Sequence, residues 1–184
     1  ENAESVRILS DNGRIPDGLD PNTVYFVITS ANATAGLTTN KDIKLANVGQ
    51  QEVDWAARQM KVLDEIKSDF MKNKPLEGLN IGACMHVTKE TANLMLTLKS
   101  AGANVSLCAS NPLSTKDSVA AYLSDNDVEV HAVHGVSNDD FFKHLNSVLD
   151  TKPDITMDDG ADLVSLLHTE RSDIPVMGSM EETT

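Results

Sequence analysis

The sequence predicts an α/β protein: one open, mostly parallel sheet with helices on both faces. Three observations carry this expectation. From Leu79 onward, five short apolar runs alternate with four segments of helical period. Strand–helix–strand alternation at that spacing is the pattern of a parallel sheet covered by helices. The junctions are marked by Gly, Pro, Asn and Asp, which punctuate secondary structure. The residues with the richest chemistry sit just after the apolar runs, where open α/β sheets bind ligands.

Residues 1–41 read differently from the rest. "DNGRIPDGLDPNT" is turn chemistry, "VYFVIT" (Val24–Thr29) is a strand by its β-branched and aromatic content, and "SANATAGLTTN" has the composition of a flexible linker. The expectation is an N-terminal extension or hairpin plus linker over 1–41, then an α/β domain over 42–184. From Asp42, Val53, Ala56, Met60, Leu63, Ile66 and Phe70 recur every three or four residues. That spacing predicts one amphipathic helix, stopped by "NKPLEG". "LNIGACM" is the first strand of the main unit and "TKETANLMLTLKSAG" its helix, ended by Gly102. "ANVSLCA" and "TKDSVAAYLSD" form the next pair, "VEVHAV" and "NDDFFKHLNSVLD" the third, "DITMD" and "ADLVSLLHTE" the fourth, and "IPVMG" the last strand.

Composition narrows the function classes. The chain has 184 residues, 40% hydrophobic and 23% charged, with a net charge of −13. No basic stripe suited to a phosphate backbone occurs, which argues against nucleic acid as a partner. No run reaches the ~20 apolar residues of a membrane span, so no membrane partner is expected. Two cysteines, Cys84 and Cys108, make no disulfide framework. They read as small buried apolar residues in a reducing, cytoplasmic setting.

Polar residues follow every strand of the main unit: His86 and Thr88, then Ser110, Asn111, Ser114 and Thr115, then His134, then Asp158 and Asp159, and finally Glu181, Glu182, Thr183 and Thr184. Most have an ordinary explanation. Thr88 suits a helix N-cap with Glu90 in the first turn complementing the dipole. Asp159 suits a cap with Asp158 solvated, and Ser114 or Thr115 a cap after an Asn-Pro turn. His131, His144 and His168 read as structural or surface residues. His86 at a strand end lacks such an explanation, and a carboxylate of the Asp158–Asp159 pair close to it would serve as proton acceptor or orienter. No ligand cluster has metal-binding spacing, so no metal is expected.

Taken together, "ACMHVTKETANLMLTLKSAGANVSLCASNPLSTKDSVAA", "FKHLNSVLDTKPDITMDDGADLVSLLH" and the terminal "EETT" closely resemble the S-adenosylhomocysteine hydrolase family. "DIKLANVGQQEVDWAARQMKVL" resembles its opening helix, so the likeness runs from about Asp42 to Thr184. It implies a Rossmann-like substrate-binding domain, incomplete here, with the family's NAD-binding domain absent and no G-x-G-x-x-G fingerprint in the chain. The family reversibly cleaves S-adenosyl-L-homocysteine to adenosine and L-homocysteine. Bound NAD oxidises the ribose 3′-hydroxyl, which acidifies C4′; homocysteine is eliminated, water adds at C5′, and the ketone is reduced again.

Carried over by motif, the resemblance implies His86 and Asp159 as catalytic residues that handle protons near the 5′ position. Thr88, Glu90 and Thr91 would bind substrate at the adenine edge, with Asn111 and Ser114 as secondary pocket residues. Glu182 would bind the ribose hydroxyls, and Thr183 and Thr184 would reach the nicotinamide. It further implies a homotetramer for the complete enzyme and an inactive chain when residues 1–184 stand alone. Two other readings compete: a non-catalytic nucleoside-binding or regulatory truncated relative, and a flavodoxin-like receiver. The receiver ranks lowest, because its acidic residues belong after the first and third strands and the pair here follows a later one.

Overall fold

The computed structural model describes residues 6–10, 24–28 and 43–182. The chain divides into two compact units, Glu1–Gly36 and Leu37–Thr184.

In the first unit, β1 (Val6–Ser10) pairs with β2 (Val24–Ile28), from Val6 opposite Val24 to Ser10 opposite Ile28. The pairing is parallel, so the two strands do not form a hairpin. Parallel strands require a crossover of a dozen or more residues, and residues 11–23 separate these two. The turn-rich stretch 11–23 and the linker 30–40 lie outside the described residues.

The second unit is a five-stranded sheet of β3 (Asn80–Cys84), β4 (Asn104–Cys108), β5 (Glu129–His131), β6 (Ile155–Asp158) and β7 (Gly178–Glu181), in the order β5-β4-β3-β6-β7 and parallel throughout. Helices α3 (Lys89–Ser100), α4 (Asp117–Asp125), α5 (Asn138–Asp150) and α6 (Asp162–Thr169) form the crossovers. The fold is therefore α/β, with a Rossmann-like open sheet.

Alternation within the strands sorts the core into two layers. Ile81, Ala83, Val105, Leu107 and Val130 pack with Ala92, Met95, Val119 and Leu123 on one face. Cys84 and Cys108, both fully buried free thiols, pack with Leu145, Val148, Leu149, Leu163 and Leu167 on the other. Side chains one residue apart on a strand point to opposite faces, and both faces are covered, which is why these strands read as near-continuous apolar runs.

The single helix predicted from the Val53–Phe70 spacing is two helices, α1 (Ile43–Ala57) and α2 (Lys61–Asn73). No Gly or Pro marks the break. Met60 leaves helical geometry at φ −102°, ψ 52°, and the two halves have different partners: α1 packs on α3 and α4, α2 on α3. Gly49 fixes the first of these contacts. A Cβ there would lie 2.0 Å from the Ser118 carbonyl oxygen, so only glycine lets α1 approach α4 this closely. The last strand also differs from expectation. The apolar "IPVMG" does not form it: Ile174 is buried in the α5–α6 core layer, and β7 is the following "GSME", exposed along its length.

Candidate functional site

The strand order reverses at β3. The chain leaves β3 toward β4 and β5 on one side, then returns to place β6 and β7 on the other. The crevice between the carboxyl ends of β3 and β6 is therefore the topological switch point, where open α/β sheets bind ligands. His86 follows β3 and Asp159 follows β6.

The turn after β3 is built around Val87, which is fully buried. Its N–H donates to the Ser114 carbonyl at 2.8 Å and its carbonyl accepts from Lys116 N–H at 3.0 Å. This bridge ties the β3–α3 turn to the β4–α4 turn. With Val87 inside, the neighbouring His86 faces out, its side chain 52% exposed. His86 Nε2 lies 3.3 Å from Asp159 Oδ2, and His86 Nδ1 lies 3.2 Å from Ser110 Oγ. Ser110 Oγ is 3.5 Å from Ser114 Oγ. An imidazole is thus held between a carboxylate and a hydroxyl pair.

The Asp158–Asp159 pair reverses the ordinary reading. Asp158 is the buried member, 1% exposed. It accepts from Val164 N–H at 3.0 Å and Asp159 N–H at 3.1 Å. Burial pushes its carboxyl above the usual carboxylate range, against the pull of those donors. Asp159 caps nothing: the residue before α6 is Ala161, which gives no side-chain cap. Asp159 N–H donates to the Cys84 carbonyl at 2.9 Å, which fixes it against the end of β3 and frees its carboxylate to face His86. Asp162, in the first turn of α6, is also pushed up, by burial and then by Asp158 and Glu181.

The other residues singled out from the sequence are placed as follows. Thr88 is the N-cap of α3, accepting from Thr91 N–H at 3.3 Å and touching Thr91 Oγ1 at 3.3 Å. Glu90, in the same turn, pairs with Lys89 at 3.8 Å and not with the His86 group. Asn111 Oδ1 accepts from Leu113 N–H at 2.9 Å, and Ser114 Oγ accepts from Asn111 N–H at 3.2 Å. Ser114 and Thr115 therefore shape the loop and do not cap α4, whose N-cap is Lys116. His134 is tied to this loop through Thr115 and Asp117. Glu182 follows β7, exposed, with its N–H on the Asp158 carbonyl at 2.7 Å. Thr183 and Thr184 lie outside the described residues. Ser110 is the member of the constellation to which sequence reading assigned no role; only its register opposite His86 could have flagged it.

A separate depression of about 380 Å³ lies between α1 and the starts of α3 and α4, lined by Val48, Gln51, Glu52, Trp55, Lys89 and Lys116. Burial raises Glu52, but Lys116 at 2.6 Å and the Ser118 hydroxyl outweigh it and hold the carboxyl below its usual range.

A sequence profile described as S-adenosyl-L-homocysteine hydrolase matches residues 38–183. The chain belongs to this family. It is 50% identical over 147 residues to an adenosylhomocysteinase of Aquifex aeolicus and 47% over 146 to one of Pyrococcus abyssi. It is 46% identical over 146 residues to an S-inosyl-L-homocysteine hydrolase of Methanococcus maripaludis. Each match covers 78% of this chain and 35% of the relative, so the chain spans about a third of the length of these curated relatives. Of the candidates read from the sequence, His86 and Asp159 come from the turns after two different strands, β3 and β6, and meet at 3.3 Å. No helix among the described residues is long and apolar enough to cross a membrane.

Proposed function

We propose that this chain forms the nucleoside-gripping wall of an enzyme that hydrolyses S-adenosyl-L-homocysteine to adenosine and homocysteine. The observation that carries this reading is the His86–Asp159 contact of 3.3 Å at the switch point, in a chain whose family acts on that thioether. Cleaving the 5′ thioether demands a proton for the departing homocysteine sulfur and removal of one from the incoming water. An imidazole steadied by a carboxylate suits both transfers. Around it, Glu90 and Thr88, with Thr91, bind the base edge, Asn111 and Ser114 floor the pocket, and Glu182 accepts hydrogen bonds from the ribose hydroxyls.

NAD is the redox cofactor of the complete enzyme in this proposal, supplying the hydride acceptor. The described residues do not form a cradle for its pyrophosphate. The turn after β3 has no glycine, and Val87 fills it, fully buried and bridged to Thr115. Thr183 and Thr184 are proposed to approach its nicotinamide.

Asp159→Asn in the complete enzyme tests the reading. Thiol release is expected to fall by ~10²–10⁴, the usual contribution of a positioned acid–base group. The melting temperature should barely move, since the Asp159 carboxylate caps no helix. Parent-like turnover in a destabilised protein would overturn the assignment. The base is tested in the same assay. A carboxylate such as Glu90 accepts equally from the amino group of adenine and from N1–H of hypoxanthine, and one relative is named for the inosyl substrate. The adenosyl thioether is expected to turn over faster than the inosyl one; the reverse ranking would reassign the substrate without moving the site.

A further inference from the structure

We propose that Ser110 is a positioning residue for His86, holding the imidazole in one orientation through its whole proton cycle. This rests on the reading of His86 as the proton-handling group. The register places the pair: β3 and β4 run in parallel with Cys84 opposite Cys108, so residues two beyond each strand end, His86 and Ser110, fall side by side. Ser110 Oγ is 3.2 Å from His86 Nδ1, while Asp159 Oδ2, from the strand on the other side, is 3.3 Å from Nε2. Both ring nitrogens are bracketed by groups delivered from the two strands that flank β3.

The chemistry of the two brackets differs. An ionised carboxylate only accepts, so the proton of the neutral ring belongs on Nε2, facing Asp159. Nδ1 then carries the lone pair, and the Ser110 hydroxyl donates to it. The ring takes up the proton of the incoming water at Nδ1, the nitrogen that carries the lone pair; Nδ1–H then becomes a donor, and the same hydroxyl rotates to accept until the proton is passed on. A hydroxyl serves both states; an ammonium or a carboxylate in its place would serve one. The ring is therefore not released when it changes charge.

Among the described residues the hydroxyl's other side-chain neighbour is Ser114 Oγ, at 3.5 Å too long to hold its hydrogen against His86 Nδ1 at 3.2 Å. Ser110 does not cap α4, and its side-chain hydrogen bonds among the described residues go to His86 and Ser114. Its own position is fixed through the backbone. Ser114 Oγ donates to the Asn111 carbonyl at 3.1 Å and accepts from Asn111 N–H at 3.2 Å, closing the loop. The loop is then locked to Val87, the residue beside His86, by the two bonds of the Val87–Thr115 bridge. A displacement of Ser110 relative to His86 would require breaking that clamp.

Ser110→Ala, Ser110→Thr and His86→Asn are compared. Crystal structures of the full chain are expected to show the His86 ring in one orientation in the parent and in Ser110→Thr, and in more than one in Ser110→Ala, while nitrogen-15 shifts report the Nε2–H tautomer that Asp159 imposes in all three. In the complete enzyme, kcat for thiol release is expected to fall about tenfold in Ser110→Ala, a fraction of the ~10²–10⁴ that the whole acid–base group contributes, with KM within twofold. Ser110→Thr should restore kcat, which loss of packing alone would not permit. An unchanged single ring orientation and unchanged kcat in Ser110→Ala overturn the proposal. If at the same time His86→Asn abolishes turnover, only the role of Ser110 fails; if His86→Asn turns over normally, the reading of His86 itself fails. Should Ser110→Ala not fold, Ser110→Cys carries the comparison. Its weakly bonding thiol is expected to loosen the ring orientation, and a parent-like ring would overturn the proposal.

Discussion

His86 and the His131–His144 pair are histidines of one sheet in opposite circumstances. His86 is half exposed, and each of its ring nitrogens faces a polar group. His131 and His144 are 1% and 2% exposed, and each keeps one ring nitrogen, Nδ1 and Nε2 respectively, without a partner among the described residues. Burial pushes both below the ordinary imidazole value, outweighing the Glu129 carboxylate beside His131; for His144 the neighbouring His131 adds to the effect. The contrast separates two uses of one side chain. A histidine meant to exchange protons needs access and a partner on each nitrogen. A histidine kept neutral in a core is a moderately polar filler between β5 and α5.

The comparison breaks first at the level of turnover against stability. His86→Asn is expected to lose ~10² or more in rate, as for any positioned proton-transfer group, with an unchanged denaturation midpoint. His144→Ala should behave inversely: about 2 kcal/mol of stability lost through the cavity it leaves, with turnover per folded molecule unchanged. Urea titrations paired with thiol-release assays read both quantities. A stability loss in His86→Asn as large as that in His144→Ala would erase the distinction.

The acid limb sharpens it. A group whose folded value is lowered leaves the folded state with fewer protons than the unfolded chain. Its stabilisation is complete above the unfolded value, about 6.5 for both histidines, and drains as pH falls through the folded values. Asp158 and Asp162 pull the other way. Their folded values are raised, so their stabilisation is present below the ordinary carboxylate range and lost as pH rises through the folded values. The groups facing the histidine pair are Glu129 from β5 and Asp140, Lys143 and Asp150 from α5. Between pH 7.5 and 5.5 the parent should lose melting temperature, at about 2–4 °C per kcal/mol for a chain of this size. The double variant His131→Leu, His144→Leu should show a flatter or inverted profile. An equally steep loss in that variant would assign the acid sensitivity elsewhere.

Much of this was legible in the sequence because the sheet is parallel. Once "LNIGACM" and "DITMD" are strands of one parallel sheet, His86 and Asp159 must lie at the same edge, whatever the strand order. What the residues alone could not convey was adjacency across strands. Ser110 matters through its register opposite His86, and register is a property of pairing. The division of labour between Asp158 and Asp159 was hidden for a related reason: strand alternation decides which carboxylate turns inward. The α1–α2 break has no local breaker and follows from two different packing partners. The strand β7 was displaced because its apolar forerunner, "IPVMG", contributes Ile174 to the core beneath α6, while the exposed edge strand carries no apolar signal. Strand β1 was absent from the reading of residues 1–41, which identified Val24–Thr29 alone as a strand and left the segment an extension or a hairpin plus linker; pairing direction is not written in turn composition.

The smallest effect concerns Thr88, for which the sequence offered two explanations that the fold leaves compatible. Its hydroxyl caps α3, but the 3.3 Å distance to Thr91 N–H is at the long end for an N–H···O bond. The cap is therefore expected at the low end of its usual worth, and Thr88→Ala should cost about 0.5–1 kcal/mol of stability. If the hydroxyl also contacts the base, one neutral hydrogen bond is lost, about 1 kcal/mol, which is roughly a fivefold weaker Kd for adenosine. Thr88→Ser keeps the hydroxyl and should preserve both. Thr88→Val keeps the shape and should lose both. Calorimetric titration of adenosine into the complete enzyme, alongside thermal denaturation without ligand, separates the two contributions. A destabilised Thr88→Val that binds adenosine as tightly as the parent would leave Thr88 a helix cap and remove it from the nucleoside site.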